Sequence, residues 1–585
     1  MESSAKSADK FTIISELARR RGFFWQAYEM YGGVSGFITY GDLGARLKRR
    51  IEDKVREIFS RKIGIMEIET PIIAPGKVFE ASGHVENFKE PMVECLKCKR
   101  KIRADHLLQE TMDISPSEAE KLSLKEIKEI IENHGIKCPD CGGTLSEPRY
   151  FLTMFTTTIG PYSDAIGYGR PEAAQGIFVE FKRLYELGRE KLPFGVMQIG
   201  HALRNEISPR QGLIRLREFT IIDIEYFFDP EDPKCFILRD VENEKLRLLL
   251  AESRLRGSEE PIEVTVGEAL KRGYVKVPWQ AAFMALAKKL LVELGVPEDK
   301  QRFIEKHPWE RAHYSRQSFD QEVYVDRWGW IEVSGHAYRT DYDLRRHMQY
   351  SGVDTRIFKE YEKPIERVRK VVKPLMAKLG PTFKNDSQKI AKMLSEADPA
   401  EVEASIKEKG YYMLENYKIL PEHLEIITEE TKETGRHFIP HVIEPSFGVD
   451  RLVYVTLEYA YRVKDDRVIL SLPRDIAPIQ IGVYPLVSRD GLPEKAQQVS
   501  QMLMDEGFIV EYDEAGSIGR RYARADEIGI PLGITIDYET LKDETVTIRD
   551  RDTWKQVRNR IDNLPDLLYK YFLKKINFED LGRPV

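Results

Sequence analysis

Residues 201–219, HALRNEISPRQGLIRLREF, place four arginines and two glutamates in nineteen residues around a Pro/Gly break. Pro209 and Gly212 predict a tight turn between two strands of a hairpin. Because alternate residues of a strand share a face, the second strand carries one face that is cationic at its start and anionic at its end. The residues of that face are Arg215, Arg217, Phe219, Ile221, Asp223 and Glu225.

The spacing on this face suits a ligand with two chemically different ends. The four residues from Phe219 to Asp223 span about 13 Å of strand. That distance accommodates a nucleotide base at one end and an ammonium group near the other. Arg204 and Glu206, across the ladder, are placed to contact a phosphate and a base edge. The alternative is a surface hairpin with cross-strand ion pairs and no ligand.

A second candidate anion site lies at residues 445–451, PSFGVDR, where an apolar strand passes into a helix. A helix N-terminus carries positive potential, and Arg451 lies in the first turn, where an anion is favoured. The alternative is an ordinary serine cap with an exposed arginine. The chain contains neither GxxxxGK[ST] nor a GxGxxG that opens a βαβ unit, so side chains would have to hold a nucleotide.

Length and composition indicate a multidomain protein outside the membrane. The 585 residues exceed what one hydrophobic core normally serves, and no stretch of eighteen apolar residues could cross a bilayer. The N-terminal residues lack the pattern of a secretory signal, so we expect a cytoplasmic protein that does not bind membranes. A net charge of −6 means that local basic patches must hold any nucleic acid.

Four of the five cysteines form two CxxC pairs, Cys95 with Cys98 and Cys138 with Cys141. Paired spacing of this kind is typical of a four-thiolate zinc site, which is structural because no ligand position remains open for water. The alternative is a set of unliganded thiols. Cys235 stands alone and is expected to be buried rather than chemically active.

Three segments, in chain order, resemble the motifs of class II aminoacyl-tRNA synthetases. The helix predicted within 41–64 with the strand ending at Pro71 resembles motif 1, residues 204–219 resemble motif 2, and residues 444–451 resemble motif 3. Four longer strings are similar to glycyl-tRNA synthetases of the single-chain archaeal and eukaryotic kind, and the similarity extends from about residue 10 to the C-terminus. These strings are RPEAAQGIFVEFKRL, KLPFGVMQIGHALRNEISPRQGLIRLREF, GWIEVSGHAYRTDYDLRRH and HVIEPSFGVDRL.

The resemblance implies an α+β protein with a six- or seven-stranded antiparallel sheet flanked by helices. A zinc-binding insertion, further helical insertions and a C-terminal α/β anticodon-binding domain complete it. The alternation of strand and helix after residue 471 independently predicts that last domain. The expected segments are 1–91 with motif 1, 92–148 as the zinc-binding insertion, 149–228 with motif 2, 229–323 as an insertion, 324–344 as core, 345–435 as an insertion, 436–470 with motif 3, and 471–585 as the anticodon-binding domain.

The resemblance also implies roles for individual residues. Arg204 and Arg451 are the expected catalytic residues, and Arg204 would grip the α-phosphate of ATP while Arg451 and Arg215 hold the β- and γ-phosphates. Glu206 would contact the adenine edge and Phe219 would stack on the ring. The full expected ATP site is Arg204, Asn205, Glu206, Arg215, Leu216, Phe219, Glu332, Val333 and Arg451, with Glu332 also a candidate Mg²⁺ ligand.

Glycine would be held by Glu172, Asp223, Glu444 and Ser446, with carboxylates around its ammonium group. Two positions depart from the family pattern. Ala173 stands where threonine is frequent, and Asp223 stands where glutamate is usual, so Asp223 is expected to reach the ammonium group through water.

The implied activity is ATP-dependent attachment of glycine to tRNA(Gly), in a homodimer built around motif 1. The C-terminal residues Arg520, Arg521, Arg524, Arg549, Tyr522 and Trp554 are expected to face the tRNA. Two other functions stay open. One is a non-catalytic paralogue that binds nucleic acid, and the other is a class II synthetase for another amino acid, such as proline, threonine or histidine.

Overall fold

The computed structural model describes residues 9–585 except 113, 115, 120, 162, 163, 208, 210 and 211, so part of the turn predicted at 209–212 lies outside the described residues. The helices are α1 Lys10–Arg21, α2 Asp42–Val55, α3 Gly76–Ala81, α4 His84–Asn87, α5 Ala104–Met112, α6 Pro116–Ala119, α7 Leu124–Asn133, α8 Ala174–Val179, α9 Phe181–Leu187, α10 Leu238–Val241, α11 Ala251–Leu255, α12 Val266–Lys271, α13 Pro278–Glu293, α14 Tyr342–Ser351, α15 Met376–Phe383, α16 Ser387–Glu396, α17 Pro399–Lys409, α18 Val449–Ala460, α19 Leu492–Asp505, α20 Ile518–Ile528, α21 Thr540–Asp543 and α22 Leu564–Phe572.

The strands are β1 Phe24–Gln26, β2 Ile38–Tyr40, β3 Met66–Ile68, β4 Ile73–Pro75, β5 Lys89–Glu94, β6 Lys101–Arg103, β7 Arg149–Leu152, β8 Thr156–Thr158, β9 Ile166–Gly169, β10 Phe194–Leu203, β11 Glu218–Phe228, β12 Lys245–Leu249, β13 Ile262–Thr265, β14 Gln301–Glu305, β15 Gln317–Val325, β16 Gly329–Thr340, β17 Ile357–Pro374, β18 Tyr412–Leu414, β19 Tyr417–Ile419, β20 Leu424–Phe438, β21 His441–Gly448, β22 Tyr461–Lys464, β23 Arg467–Leu470, β24 Ile481–Pro485, β25 Val510–Tyr512, β26 Leu532–Ile536, β27 Thr545–Asp550, β28 Gln556–Arg560 and β29 Arg583–Pro584. Within the described ranges, no helix is both long enough and apolar enough to span a membrane.

A nine-stranded sheet in the order β13-β12-β14-β15-β16-β21-β11-β10-β3 organises the larger of two compact units, which comprises residues up to 355 and 440–585. The sheet is wider than the six or seven strands expected, and it is antiparallel except at the β3/β10 and β12/β14 contacts. Residues 229–323, expected as an insertion, supply β12 to β15 of this sheet. Their alternating apolar residues, such as Leu246 and Leu248, are buried in the same core as β11 and β21, so this segment is an integral part of the larger unit.

Helices α2, α13 and α18 cover the apolar face of the sheet. The periodicity predicted for residues 41–64 is confirmed, since Leu43, Leu47, Ile51 and Val55 are buried at helical spacing, and a π-helical turn continues α2 to Arg61. The strand predicted to end at Pro71 is shorter than expected. It closes at Ile68, and the chain re-pairs as β4 in a different, three-stranded sheet.

The predicted C-terminal α/β alternation is confirmed by β24, α19, β25, α20 and β26, which precede the antiparallel strands β27 to β29. This region has its own core around Ile481, Leu503 and Ile534. Leu472 and Ile476, however, belong to the core around the nine-stranded sheet. Residues on both sides of the predicted boundary at 471 therefore pack into the same core.

The second compact unit comprises residues 356–439. A long antiparallel hairpin, β17 with β20, carries α15 to α17 and the short β18/β19 hairpin at its far end. A small core that includes Leu379, Ile390 and Leu394 joins these helices to the hairpin. The predicted insertion 345–435 differs at its start, because residues 342–351 form α14 of the larger unit.

Candidate active site

Strands β10 and β11 form the predicted hairpin, with Leu203 opposite Glu218 and Phe194 opposite Phe227. β11 begins at Glu218, so Arg215 and Arg217 lie in the loop before it and not on the strand face predicted for them. The guanidinium of Arg217 donates to the carbonyl oxygens of Ser35 and Glu206, which ties this loop both to the N-terminal segment and to the opposite arm of the hairpin.

The loop and three strands enclose a cleft of about 690 Å³, which we call the arginine cleft. Every residue expected to bind ATP lines this cleft except Asn205. The backbone N–H of Asn205 donates to the carbonyl oxygen of Thr153. The lining of the cleft is Arg204, Glu206, Leu213, Ile214, Arg215, Leu216, Phe219, Ile221, Glu332, Val333, Ser334, Gly335, Ser446, Gly448, Asp450 and Arg451.

Protein groups hold the three arginines of this cleft in place. Arg215 binds Glu206, with N–O distances of 2.8 Å from Nε and 2.6 Å from Nη2 to Oε2. Arg451 donates to the carbonyl oxygens of Glu332 at 2.6 Å and Ile214 at 2.9 Å. The guanidinium of Arg204 lies 5.3 Å from the centre of the Phe219 ring. The arginine cleft therefore presents converging positive charge beside an aromatic face.

Asp450, which precedes Arg451, fixes the start of α18. Its carboxylate accepts a 2.6 Å hydrogen bond from the backbone N–H of Thr220 and a 2.5 Å hydrogen bond from the hydroxyl of Tyr40. Burial and the neighbouring Asp450 carboxylate raise the pKa of Tyr40 well above its usual range, so this hydroxyl remains a donor. These contacts join the motif 2 strand to the motif 3 helix.

A second cleft of about 980 Å³, the acidic pocket, adjoins the arginine cleft and shares Arg204, Ile221, Glu332, Gly335 and Ser446 with it. It contains all four residues expected to bind glycine. In the register of the sheet, Ser446 on β21 lies between Asp223 on β11 and Gly335 on β16. Other groups lining the acidic pocket are Glu172, Lys306, Glu310, Arg311, Ala312, Tyr314, Ser318, Asp320, His336, Ala337 and Glu444.

One oxygen of the Asp223 carboxylate is already used by the protein. Oδ2 accepts hydrogen bonds from the backbone N–H groups of Ala173 at 2.6 Å and Ala174 at 3.0 Å, at the start of α8. Oδ1 is buried without a hydrogen-bond partner among the described residues. Burial, with the nearby Glu172 carboxylate, raises the pKa of Asp223 to about 6.

Arg339, which sequence analysis did not identify, is fully buried behind the lining of the acidic pocket, where it contacts the pocket carboxylates Glu172 and Glu444. It binds Asp343 at 2.8 Å and Glu444 at 2.9 Å, lies 3.6 Å from Glu172, and its guanidinium stacks 3.6 Å from the Tyr314 ring centre. Its strand, GWIEVSGHAYRT, was recognised, but nothing local distinguishes a buried arginine from an exposed one on the same strand.

The carboxylates of the acidic pocket outnumber the cations that face them. Burial and the carboxylates of Asp223 and Glu172 raise the pKa of Glu444 to about 8 despite its ion pair with Arg339. Burial also acts to raise the pKa of Glu172, but His84 and Arg339 hold it well below its usual range. Without a ligand, the acidic pocket therefore retains protons on some carboxylates, and a bound ammonium group would displace them.

We accordingly expect glycine affinity to increase with pH between about 6 and 8, because an ammonium ligand binds the ionised carboxylates and lowers their pKa values. Protons held by Asp223 and Glu444 below those values oppose binding, and the gain levels off once both groups are ionised. Calorimetry of glycine binding in two buffers of different ionisation enthalpy should show proton release. Glu444→Gln should abolish the upper part of the pH dependence, and an affinity that is constant over this interval would contradict the expectation.

The four predicted zinc ligands come together at the ends of two turns. The distance between Sγ atoms is 3.5 Å for Cys95 and Cys141 and 3.7 Å for Cys98 and Cys138, and all four lie within 4.8 Å of one another. A tetrahedral ion with metal–sulfur bonds of about 2.3 Å requires sulfur atoms about 3.8 Å apart. The four free thiols therefore fit a tetrahedral metal ion.

Most of the arginines expected to face tRNA in the C-terminal domain are engaged within that domain. Arg521 is buried and donates to the carbonyl oxygens of Pro485, Glu514 and Gly516, while Arg549 is buried against Asp526 at 2.9 and 3.0 Å. Arg524 binds Asp513. The cations that do surround Trp554 are Lys464 at 4.3 Å and Arg467 at 5.4 Å from its ring centre, together with Arg549.

Comparison with known proteins decides the family. A glycine-tRNA ligase from Aeropyrum pernix is 49% identical over 582 residues, which cover 99% of each chain. The chain belongs to the glycine-tRNA ligase family. Relatives with the same description from Pyrococcus horikoshii and Methanocaldococcus jannaschii are 50% and 46% identical, with coverage of 95% and 96% of this chain and 98% of each relative. Residues 480–571 match the family described as anticodon binding domain.

Solved structures with much lower sequence identity show the same fold. Prolyl-tRNA synthetase from Cryptosporidium parvum, complexed with L-proline and AMP, matches with a TM-score of 0.50 at 12% identity, over 97% of this chain and 77% of that one. The RNA binding domain of threonyl-tRNA synthetase from Cryptosporidium parvum Iowa II also gives 0.50, at 16% identity and coverage of 95% and 97%. The fold is therefore that of class II aminoacyl-tRNA synthetases, as expected from the three motifs.

Proposed function

We propose that this chain is a glycyl-tRNA synthetase that activates glycine with ATP and transfers it to the 3′ end of tRNA(Gly). The glycine carboxylate attacks the α-phosphorus of ATP, which forms glycyl-adenylate and releases pyrophosphate. A hydroxyl at the tRNA terminus then attacks the acyl carbon and releases AMP. Neither step requires a protein nucleophile, so positioning and charge stabilisation supply most of the acceleration.

The observation that carries this proposal is that the arginine cleft and the acidic pocket meet at Arg204 and Ser446. A ligand with phosphates in the first and an ammonium group in the second has its reacting atoms at this junction. We assign the α-phosphate to Arg204 and the outer phosphates to Arg215 and Arg451. Phe219 provides a stacking surface for adenine, and Glu206 reaches its edge after releasing Arg215.

The acidic pocket favours glycine over larger amino acids. Glu172, Asp223 and Glu444 supply carboxylate oxygens to the ammonium group, and the free Oδ1 of Asp223 permits a contact that does not depend on water. Gly335 and Ser446 pack closely at the junction, where a Cβ atom added at Gly335 would lie only 3.0 Å from Ser446 Oγ, and we assign the exclusion of larger substrate side chains to this point. Steric exclusion of this kind discriminates strongly against larger substrates and makes a separate editing site unnecessary.

Two metal ions complete the proposal. Zn²⁺ would be held by Cys95, Cys98, Cys138 and Cys141, where it closes the base of the insertion without a reactive position. Mg²⁺ would be held at Glu332 and would neutralise phosphate charge. The side chain of Glu332 is 45% exposed, and although partial desolvation acts to raise its pKa, the cations of Arg451, Lys306 and Arg204 lower it, so its carboxylate is ionised and suited to a hard cation.

We assign tRNA recognition to the C-terminal domain, with Lys464, Arg467 and Trp554 in place of the buried arginines. An aromatic ring flanked by cations suits stacking on unpaired bases and phosphate contact. The proposal also includes a homodimer built around motif 1, with α2 and β3 near the contact.

Exchange of labelled pyrophosphate into ATP, measured separately with each amino acid, tests the proposal. We expect exchange with glycine alone, and charging of tRNA(Gly) in the presence of glycine and ATP. Exchange with proline, threonine or histidine would identify a different synthetase. Absence of exchange with every amino acid, accompanied by retained tRNA binding, would identify a non-catalytic paralogue.

A further inference from the structure

The segment Ser82-Gly83-His84 joins α3 to α4 directly behind the acidic pocket, and neither the motifs nor the proposed reaction uses it. Ser82 and His84 are both fully buried. Gly83 has φ = +82°, a left-handed conformation, and a Cβ atom there would lie 2.9 Å from Nε2 of His313. The backbone thus turns sharply at Gly83 and directs the His84 side chain inward.

His84 connects this turn to the glycine site. Its Nε2 lies 3.3 Å from Oε2 of Glu172, and its Nδ1 lies 2.7 Å from the hydroxyl oxygen of Ser82. The same hydroxyl is 3.3 Å from the carbonyl oxygen of Phe79, a longer and weaker contact. Donation from Ser82 to Nδ1 therefore leaves the ring proton on Nε2, the nitrogen nearest to Glu172, although at 3.3 Å Nε2 makes no well-aligned hydrogen bond in this structure.

The two oxygens of Glu172 have separate partners. Oε1 accepts a 3.0 Å hydrogen bond from the amide of Gln175 and lies 3.6 Å from Arg339. Among the ion pairs and hydrogen bonds of the described residues, Oε2 faces only His84. Without this imidazole, only Gln175 and Arg339 would hold the carboxylate, both through Oε1. The carboxylate could then rotate about that side and turn Oε2 away from the substrate.

We propose that His84, oriented by Ser82, is a positioning residue that holds Glu172 in the orientation that receives the ammonium group of the substrate. The proposal rests on the function proposed above, and it concerns substrate binding and not the chemical step. His84 does not line either cleft, so it acts through Glu172 and not by touching the substrate. Partners of this kind commonly determine how well a primary ligand residue functions.

Steady-state pyrophosphate exchange with His84→Leu and His84→Gln tests the proposal. His84→Leu should increase KM for glycine about tenfold or more and change KM for ATP by less than about twofold, because it removes the imidazole that faces Glu172 and leaves the arginine cleft unchanged. His84→Gln retains an N–H donor near the position of Nε2 and should restore KM for glycine to within about threefold of wild type. Such a rescue would not occur if the histidine served only to fill space.

Two further variants keep the result decisive. Ser82→Ala retains the imidazole and should increase KM for glycine about threefold through loss of the tautomer control alone. His423→Leu removes a buried histidine of the unit 356–439 and should leave both KM values unchanged, which measures the cost of losing a buried ring. If His84→Leu does not fold, the Gln and Ala variants decide the matter.

Three results would overturn the proposal: an unchanged KM for glycine in His84→Leu or Ser82→Ala, a His84→Gln variant as impaired as His84→Leu, or a parallel increase in both KM values. A wild-type protein without glycine-dependent exchange would instead refute the proposed function. The two failures are therefore distinguishable in one set of measurements.

Discussion

Replacing Arg204 or Arg451 by alanine should lower the rate of glycine-dependent pyrophosphate exchange by about two orders of magnitude or more, as expected when a preorganised phosphate partner is lost. Both guanidinium groups are already held in the arginine cleft by backbone carbonyl oxygens, Arg204 by Pro171 and Arg451 by Ile214 and Glu332. They therefore require little reorganisation when charge develops on the phosphates. The measurement is kcat/KM for ATP at saturating glycine.

Arg451→Lys and Arg256→Ala are the matched controls. A lysine keeps the positive charge but cannot contact two carbonyl oxygens and a phosphate from one planar group, so we expect only partial activity. Arg256 is exposed on the surface and contacts Glu252, so its removal should leave the rate near that of wild type. Near-normal exchange by folded Arg204→Ala or Arg451→Ala would refute the phosphate role of that residue.

Loss of the metal should unfold the insertion 92–148 while leaving the catalytic sheet folded. The insertion has a small core of its own, in which Val93, Ile102, Leu107 and Ile127 pack beside Cys95. A core of this size supplies little stability, whereas structural zinc contributes about 10–16 kcal/mol of apparent binding free energy in small metal-binding domains. Metal analysis should find one zinc per chain, and Cys95→Ser should eliminate it.

Limited proteolysis with chelator or with Cys95→Ser should cut first within residues 92–148. Cys235→Ser, which alters the one cysteine outside the cluster, should keep both the zinc and the protection. A protein that carries no metal and yet resists cleavage in this segment would show that the four thiols need no ion.

Local patterns in the sequence were sufficient for the elements with strong periodicity. The helix α2 and the α/β alternation of the C-terminal region follow from apolar spacing, and the CxxC spacing predicts the cluster because short-range turns bring each pair together. Resemblance to known motifs located the residues of both clefts. The width of the sheet was underestimated because residues 229–323 were expected as an insertion, whereas β14 and β15 pair in succession onto β16 and β12 and β13 continue from β14.

Burial decided what local patterns could not. Arginine has three different environments in this protein. Arg339 is buried among carboxylates, Arg521 and Arg549 are buried in hydrogen bonds within the C-terminal domain, and Arg451 lines the arginine cleft. A charged side chain carries no local signal of which neighbours will remove it from water, since those neighbours come from distant strands. The sequence by itself determined the family, the motifs and the four-cysteine cluster. Only the tertiary structure determined which charges face the clefts, because that depends on packing across nine strands and on how each buried charge is paired.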